Sequence, residues 1–257
     1  MRDYLEALHE DAAKDPEQRA RELSRRELPK RFYERAEHVE TEDGFAIHLD
    51  GRPVKTPGKS TLLLPTEPLG VAVAAEWAAQ EKEINPAVMP LTRIANSAQD
   101  AVASRFDEVA DDVTAFAGND SLCYRADDPQ SLCDTQRQLW DPVVDWAGEL
   151  LGGRFSLIEG IIHAPQDDKL LSAYRARIGS ETPLRLAALH TVTTLTGSAL
   201  LALAVREDKL TADDAWQAAH VEEDFNVERW GADAEATQIR AYKRSEFDAA
   251  VLILKEG

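Results

Sequence analysis

The sequence is short of cysteine, of basic charge and of long uncharged runs, and each shortage removes a class of function. Two cysteines in 257 residues cannot form a disulfide framework, and Cys123 and Cys133 make no CxxC pair of the kind that binds zinc or carries redox chemistry. They read as free core thiols of a reducing compartment. Lysine and arginine number 29 against 47 aspartates and glutamates, a net charge of −18. A surface this acidic repels phosphate backbones and anionic lipid heads, so no nucleic-acid or membrane-surface partner is expected. The N-terminus lacks the apolar stretch of a secretory signal, and Asp3, Glu6, Glu10 and Asp11 are acids that an organelle transit peptide avoids. The expected location is a bacterial cytoplasm, or the mitochondrial matrix for a processed eukaryotic protein.

One segment has the length of a membrane span. From Leu186 to Val205 there is no formal charge, but His190, four threonines, Gly197 and Ser198 interrupt the run. A helix apolar on nearly all sides also suits the centre of a soluble bundle, and that is the reading adopted.

What is present is an ordinary globular balance, 44% apolar and 30% charged, enough to bury a core. Residues 1–29 read as a charged leader. Residues 30–119 read as a mixed α/β domain. Ala36–Thr41, Phe45–Leu49, Arg52–Thr56 and Thr61–Leu64 have strand character. Glu42-Asp43-Gly44 and Asp50-Gly51 supply the turns, so a small antiparallel sheet is expected. After Pro65 the period becomes helical. Thr66 stands where a cap belongs, and Leu69, Val73 and Trp77 share a face; helices over Thr92–Ala103 and Asp107–Ala117 follow. Residues 120–257 read as mainly helical: Gln130–Leu151, Asp167–Ile178, Pro183–Val205, Thr211–Trp230 and Ala232–Leu254. Phe155–His163 is expected to be a strand returning to the N-terminal sheet. The fold class is α+β.

Catalytic and cofactor motifs do not assemble. Gly51 to Ser60 is the nearest approach to a phosphate-binding loop. It has six residues between Gly51 and Gly58 where four are needed, and two are prolines without an N–H. A hairpin loop is the better reading. His220, Glu223 and Asp224 have helical spacing, but one nitrogen ligand is too few for zinc, and a salt-linked helix face is expected. No cofactor and no metal is expected. His190 reads as a hydrogen-bonded core histidine.

The most informative stretch is Thr211–Trp230. Thr211 and Asp214 form an acidic variant of the capping box. Along one continuous helix, Trp216, Ala219, Val227 and Trp230 share a narrow stripe that also holds Glu223. Val221 and Phe225 point the other way, with Asp224, Glu228 and Glu222 on the flanks. A helix with two apolar faces is either sandwiched inside the bundle, or packs one face inside while Val221, Phe225 and the acids meet another protein. Spacing leaves both open.

At this helix the sequence resembles a known family. His220-Val-Glu-Glu-Asp-Phe-Asn-Val-Glu-Arg-Trp-Gly231 is similar to the signature of the assembly factors that chaperone the alpha subunit of the ATP synthase catalytic head, found in mitochondria and alphaproteobacteria. The likeness runs from about Arg31 to Leu254. It includes Arg31-Phe-Tyr33, Asp50-Gly-Arg-Pro-Val-Lys-Thr-Pro57, Ala75-Glu-Trp77, Met89-Pro-Leu-Thr-Arg-Ile-Ala-Asn96, Asp120-Ser-Leu-Cys-Tyr-Arg125 and Trp140-Asp-Pro-Val-Val-Asp-Trp146. The resemblance implies a non-enzymatic chaperone that binds the unassembled alpha subunit and shields its interface until beta subunits join; a monomer is expected. It also implies a C-terminal orthogonal helical bundle. Glu222 falls at the family's characteristic glutamate. Glu223 and Asp224 fill permissive acidic places, Phe225 an aromatic one, and Asn226 stands where Gln is common. Glu222, Glu223, Asp224, Phe225, Glu228 and Trp230 are the expected partner-binding residues. A hydrolase or metal-dependent enzyme using His220 and Glu223, and a permanent scaffold with a large apolar interface, are the alternatives.

Overall fold

The computed structural model describes residues 28–159 and 164–257, which form two compact units: residues 28–104 with 237–257, and residues 105–236. The leader expected over 1–29 lies outside the described residues, apart from Leu28 and Pro29.

In the first unit, β1 (Ala36–Thr41) and β2 (Gly44–Leu49) pair antiparallel, with Ala36 opposite Leu49. β3 (Arg52–Pro53) and β4 (Leu63–Leu64) also pair antiparallel with β2. Asp50 and Gly51 both have positive φ (48° and 79°), as a two-residue hairpin turn requires. The Asp50 carboxylate accepts N–H bonds from Glu34 and Arg35, which hold it below the usual carboxylate range. The strand expected over Arg52–Thr56 stops at Pro53, which has no N–H to continue a ladder; beyond it only a bridge joins Lys55 to Thr61. In this loop the Thr56 hydroxyl and the Gly58 N–H each donate to Asp100 at 2.6 Å. The anion that the loop holds is the protein's own.

α1 (Glu67–Ala78) lies on β1 and β2 with Leu69 and Val73 buried, one turn apart. Thr66 stands at its N-cap without capping it; the hydroxyl donates instead to the Glu256 carbonyl at 2.7 Å. α2 (Pro90–Asp100) starts two residues earlier than expected. Its first turn is capped from outside by Glu76, which accepts from the N–H groups of Leu91 and Thr92 and from the Thr92 hydroxyl. Burial raises the Glu76 pKa against the opposing pull of those bonds. α10 (Ala234–Glu256) closes the unit with Phe247, Ala250, Ile253 and Leu254 buried. Arg93 of α2 pairs with its Glu246 at 2.5 Å and lies over its Tyr242 ring.

The second unit contains α3 (Phe106–Gly118), α4 (Gln130–Leu151), α5 (Asp168–Ile178), α6 (Pro183–Thr196), α7 (Ala199–Arg206), α8 (Ala212–Ala219) and α9 (Val221–Trp230). α7 is central: it touches α3, α4, α6 and α8, and every side chain from Ala199 to Val205 is at most 1% exposed. Each of its leucines contributes about 1.5–3 kcal/mol of burial. Asp120, fully buried, joins this helix to the chain before α4. Its two oxygens accept from the N–H groups of Leu122 and Leu200, at 3.0 and 2.9 Å. Burial nevertheless pushes its pKa up to about 6.

Four expectations are corrected. The domain boundary falls after Ser104, not after residue 119, and residues from Thr237 on belong with the first unit. The reason is packing: the α3 stripe Ala110, Val113 and Ala117 is buried in a helix that contacts α5, α6 and α7. The helix expected over Pro183–Val205 is two, because Gly197 takes φ 68° and the Ser198 hydroxyl caps α7 by accepting from Leu201 N–H. The strand expected over Phe155–His163 is only β6 (Ile158–Glu159) among the described residues. It pairs parallel with β5 (Tyr124–Arg125) inside the second unit, not with the N-terminal sheet. The helix expected over Thr211–Trp230 breaks at His220.

The class is α+β as read. Cys123 and Cys133 are free and buried. Among the described residues no helix is long and apolar enough to cross a membrane.

Candidate partner-binding surface

The break at His220 decides what α8 and α9 present. Thr211 caps α8 by accepting from Asp214 N–H at 3.1 Å, and its hydroxyl reaches the Asp214 carboxylate at 2.7 Å. At the far end, His220 Nδ1 lies 2.8 Å from the Trp216 carbonyl and its ring stacks on the Trp216 indole at 4.0 Å. That carbonyl is the one the His220 N–H would use in a continuous α-helix. With the side chain there, the His220 N–H turns to Gln217 O, which closes a tighter, three-residue turn, and α8 ends. The Asp224 N–H then donates to His220 O as the first bond of α9.

This change of phase separates residues that the continuous helix placed together. Trp216 is buried, whereas Trp230 is 76% exposed. Val221 is 3% exposed and belongs to the core, on a helix that lies against α4. Of the two readings that spacing left open, the one with Val221 turned outward does not hold: Val221 is inside, and Phe225 is half-buried beneath the Arg229 guanidinium, 4.2 Å above its ring. The exposed stripe is Glu223, Val227 and Trp230, at i, i+4 and i+7 on one face.

Among the expected site residues, Glu222, Glu223, Glu228 and Trp230 are exposed, and Asp224 and Phe225 are half-buried. Glu222 is also tethered. Its Oε1 accepts from Gln136 Nε2 at 2.9 Å, and the buried Gln136 in turn accepts from Ala126 N–H with its own carbonyl. A second tie, Trp140 Nε1 donating to Ala218 O at 2.7 Å, holds α8 to α4. α9 has no side-chain N-cap. The acids Glu222, Glu223 and Asp224 in its first turn offset that lack through the helix dipole. Sequence reasoning missed Val227 as a surface residue and Gln136 altogether. The spacing of Val227 from Trp230 was visible, but its side could be assigned only with the break in place.

The arrangement suits contact better than catalysis. His220 is buried with one ring nitrogen held by a carbonyl, and its other nitrogen is 3.9 Å from Glu223. The second unit does have a cleft of about 310 Å³, but neither His220 nor Glu223 lines it. No group of three metal-ligating side chains occurs among the described residues. His190, half-buried, lies 2.9 Å from Asp112 across α6 and α3.

Comparison with known proteins identifies the family of the chain. Residues 30–148 match the family described as ATP12 chaperone protein. The crystal structure of Atp12 from Paracoccus denitrificans is similar over 88% of this chain and 97% of its own, with 40% identity and a TM-score of 0.80; a point mutant of that protein gives the same figures. The Atu1473 protein from Agrobacterium tumefaciens is similar over 98% of both chains, with 41% identity and a TM-score of 0.85. The chain therefore belongs to the ATP12 chaperone family, a family of ATP synthase assembly chaperones and not of enzymes.

Proposed function

We propose that this chaperone binds the unassembled alpha subunit of the ATP synthase catalytic head through the outer face of α9, and covers that subunit's interface until beta subunits join. The observation that carries the reading is the exposed stripe of Glu223, Val227 and Trp230, with Glu222 and Glu228 exposed beside it. A tryptophan left 76% exposed buries little of its own apolar surface, and tryptophan is among the residue types most enriched at interface hot spots. A client must be released as well as held. A small apolar anchor ringed by acids meets both needs: charge speeds encounter with a basic surface, and burial of Trp230 sets residence time. The chaperone acts as a monomer in the compartment where the catalytic head is assembled, the bacterial cytoplasm or the mitochondrial matrix. Glu222, Asp224 and Phe225 support the face, the last two from half-buried positions.

The test is capture of separately purified alpha and beta subunits on the immobilised chain. Alpha is retained and beta is not. Trp230→Ala lowers retention at least tenfold, and Glu222→Lys lowers it and steepens its loss with salt. Retention of alpha by neither the wild type nor the variants removes the reading.

A further inference from the structure

α1 lies on β1 and β2 with Leu69 and Val73 turned inward. The side turned away from the sheet carries Pro68, Val71, Ala75, Ala78 and Ala79, all exposed, Val71 by 48%. The first four recur at i, i+3, i+7 and i+10, so they form one stripe along the helix. No charged or hydrogen-bonding side chain interrupts it. Glu67 stands at its N-terminal edge, 3.5 Å from His38, and Glu76 is turned to the first turn of α2. A helix at a surface ordinarily puts its charges on this side, and one that is apolar all round is ordinarily covered. In a chain with 30% charged residues, an uncharged outer side over three turns calls for an occupant.

The size of the stripe narrows what that occupant is. The helix is about 18 Å long, and a stripe about 10 Å wide offers far less than the roughly 800 Å² per partner that a stable complex of separate proteins buries. A segment of the same chain needs less area, because its effective concentration is on the order of millimolar. The chain before Leu28 also enters at the right place. Just beyond the end of α1, Pro29 O accepts from Ile84 N–H, and Arg31 N–H donates to Lys82 O. The Arg31 side chain reaches the Ala78 carbonyl of α1 itself, at 3.4 Å. Residues 1–27 hold one apolar repeat, Leu5, Leu8 and Ala12, with the same i, i+3, i+7 spacing as the stripe. At helical spacing Asp3, Glu6 and Glu10 fall on the opposite side. Even at the helical rise of about 1.5 Å per residue, the 15 residues between Ala12 and Leu28 reach about 22 Å, more than the length of α1.

We propose that the segment around Leu5, Leu8 and Ala12 packs on the outer face of α1, as a cover supplied by the chain itself. The three side chains close over Val71 and Ala75, and the alanines of the stripe, which have no atom beyond Cβ, let the two backbones approach. The acids of the segment face solvent. The face is thereby withheld from other apolar surfaces until the segment is displaced. This contact lies within the first unit and does not depend on α9.

The test is cross-linking by a short bismaleimide in the full-length chain, whose own Cys123 and Cys133 are buried. One variant carries His9→Cys, beside the repeat, and Ala75→Cys. The control carries His9→Cys and Glu37→Cys; Glu37 is exposed on β1 and points away from α1, since its neighbour His38 reaches Glu67. The first pair links within one chain at least fivefold faster than the control. Leu5→Glu with Leu8→Glu removes that difference, and so does Val71→Glu at its exposed position. Equal rates for the two pairs, or a rate that these three substitutions leave unchanged, would overturn the proposal. Links between two chains, told from internal ones by intact mass, would overturn it as well and make the stripe a face between copies.

Discussion

The buried side chain of Gln136 donates to Glu222 Oε1 across 2.9 Å while its carbonyl holds the N–H of Ala126, so one α4 residue fixes both the first turn of α9 and the exit from β5. Gln136→Leu deletes both bonds and leaves the Ala126 N–H unmet, at a cost of about 1–3 kcal/mol. Glu222→Gln keeps an acceptor at the same place and costs under about 0.5 kcal/mol. Urea unfolding separates the two. Equal stability losses would mean that the charge of Glu222, not the bridge, secures α9.

Asp120 gives the second unit a pH dependence of definite sign. Its pKa in the fold is pushed up to about 6 from an ordinary 3.8, with burial the largest cause and the N–H of Leu200 the largest opposing one. The folded state therefore binds the proton more tightly than the unfolded chain. The stability that this supplies is complete below about pH 4 and is lost as pH rises through about 6, on the order of 3 kcal/mol in all. Its neighbours Cys123 and Tyr174 both have pKa values raised far above that window by burial, so neither changes charge within it. In Asp120→Asn the slope between pH 4 and 6 is smaller than in the wild type by that amount. Parallel curves for the two proteins, measured by urea denaturation at each pH, would refute the assignment.

Thiol accessibility offers a simple check of the core. Cys123 is fully buried with its pKa pushed up to about 12 by burial first and Asp120 second, and Cys133 donates to the Ala126 carbonyl at 3.1 Å. Thiolate is the reactive form. Under native conditions at pH 8 a thiol reagent labels Cys123 only at the rate of unfolding, and both thiols react at once in denaturant. Rapid native labelling of Cys123 would contradict its placement.

Local chemistry made much of the fold legible. Asp50-Gly51 specified a hairpin and Thr211 a helix start, and the structure has both; of the run from Leu186 to Val205, Ala199–Val205 is the buried centre, while Thr194 is exposed. What failed was what depends on distant partners or on a side chain competing with its own backbone. α10 returns to the first unit, where Glu246 meets Arg93, and no local pattern announces that partner. The break at His220 arises because an imidazole takes the Trp216 carbonyl, in a stretch whose propensity is helical throughout. That one break decides a facing that spacing left open: Val221 lies inside, while Val227 and Trp230 lie outside with the acids. The family likeness located the segment, and only the geometry separated Trp230 from Trp216.

The facing of Val221 and Trp230 gives the sharpest test of α9. Val221, 3% exposed, is a core residue of the second unit. Val221→Ala should cost about 1–3 kcal/mol through lost burial and the cavity left behind. Trp230 is 76% exposed, so Trp230→Ala should change stability by less than about 0.5 kcal/mol. Binding should respond in the opposite order: Trp230→Ala loses alpha-subunit retention in a fully stable protein, while Val221→Ala retains it wherever the variant remains folded. A destabilised Trp230→Ala would mean that the indole packs on its own chain. Loss of binding in a folded Val221→Ala, with Trp230→Ala intact, would move the contact to the face that holds Val221 and Phe225.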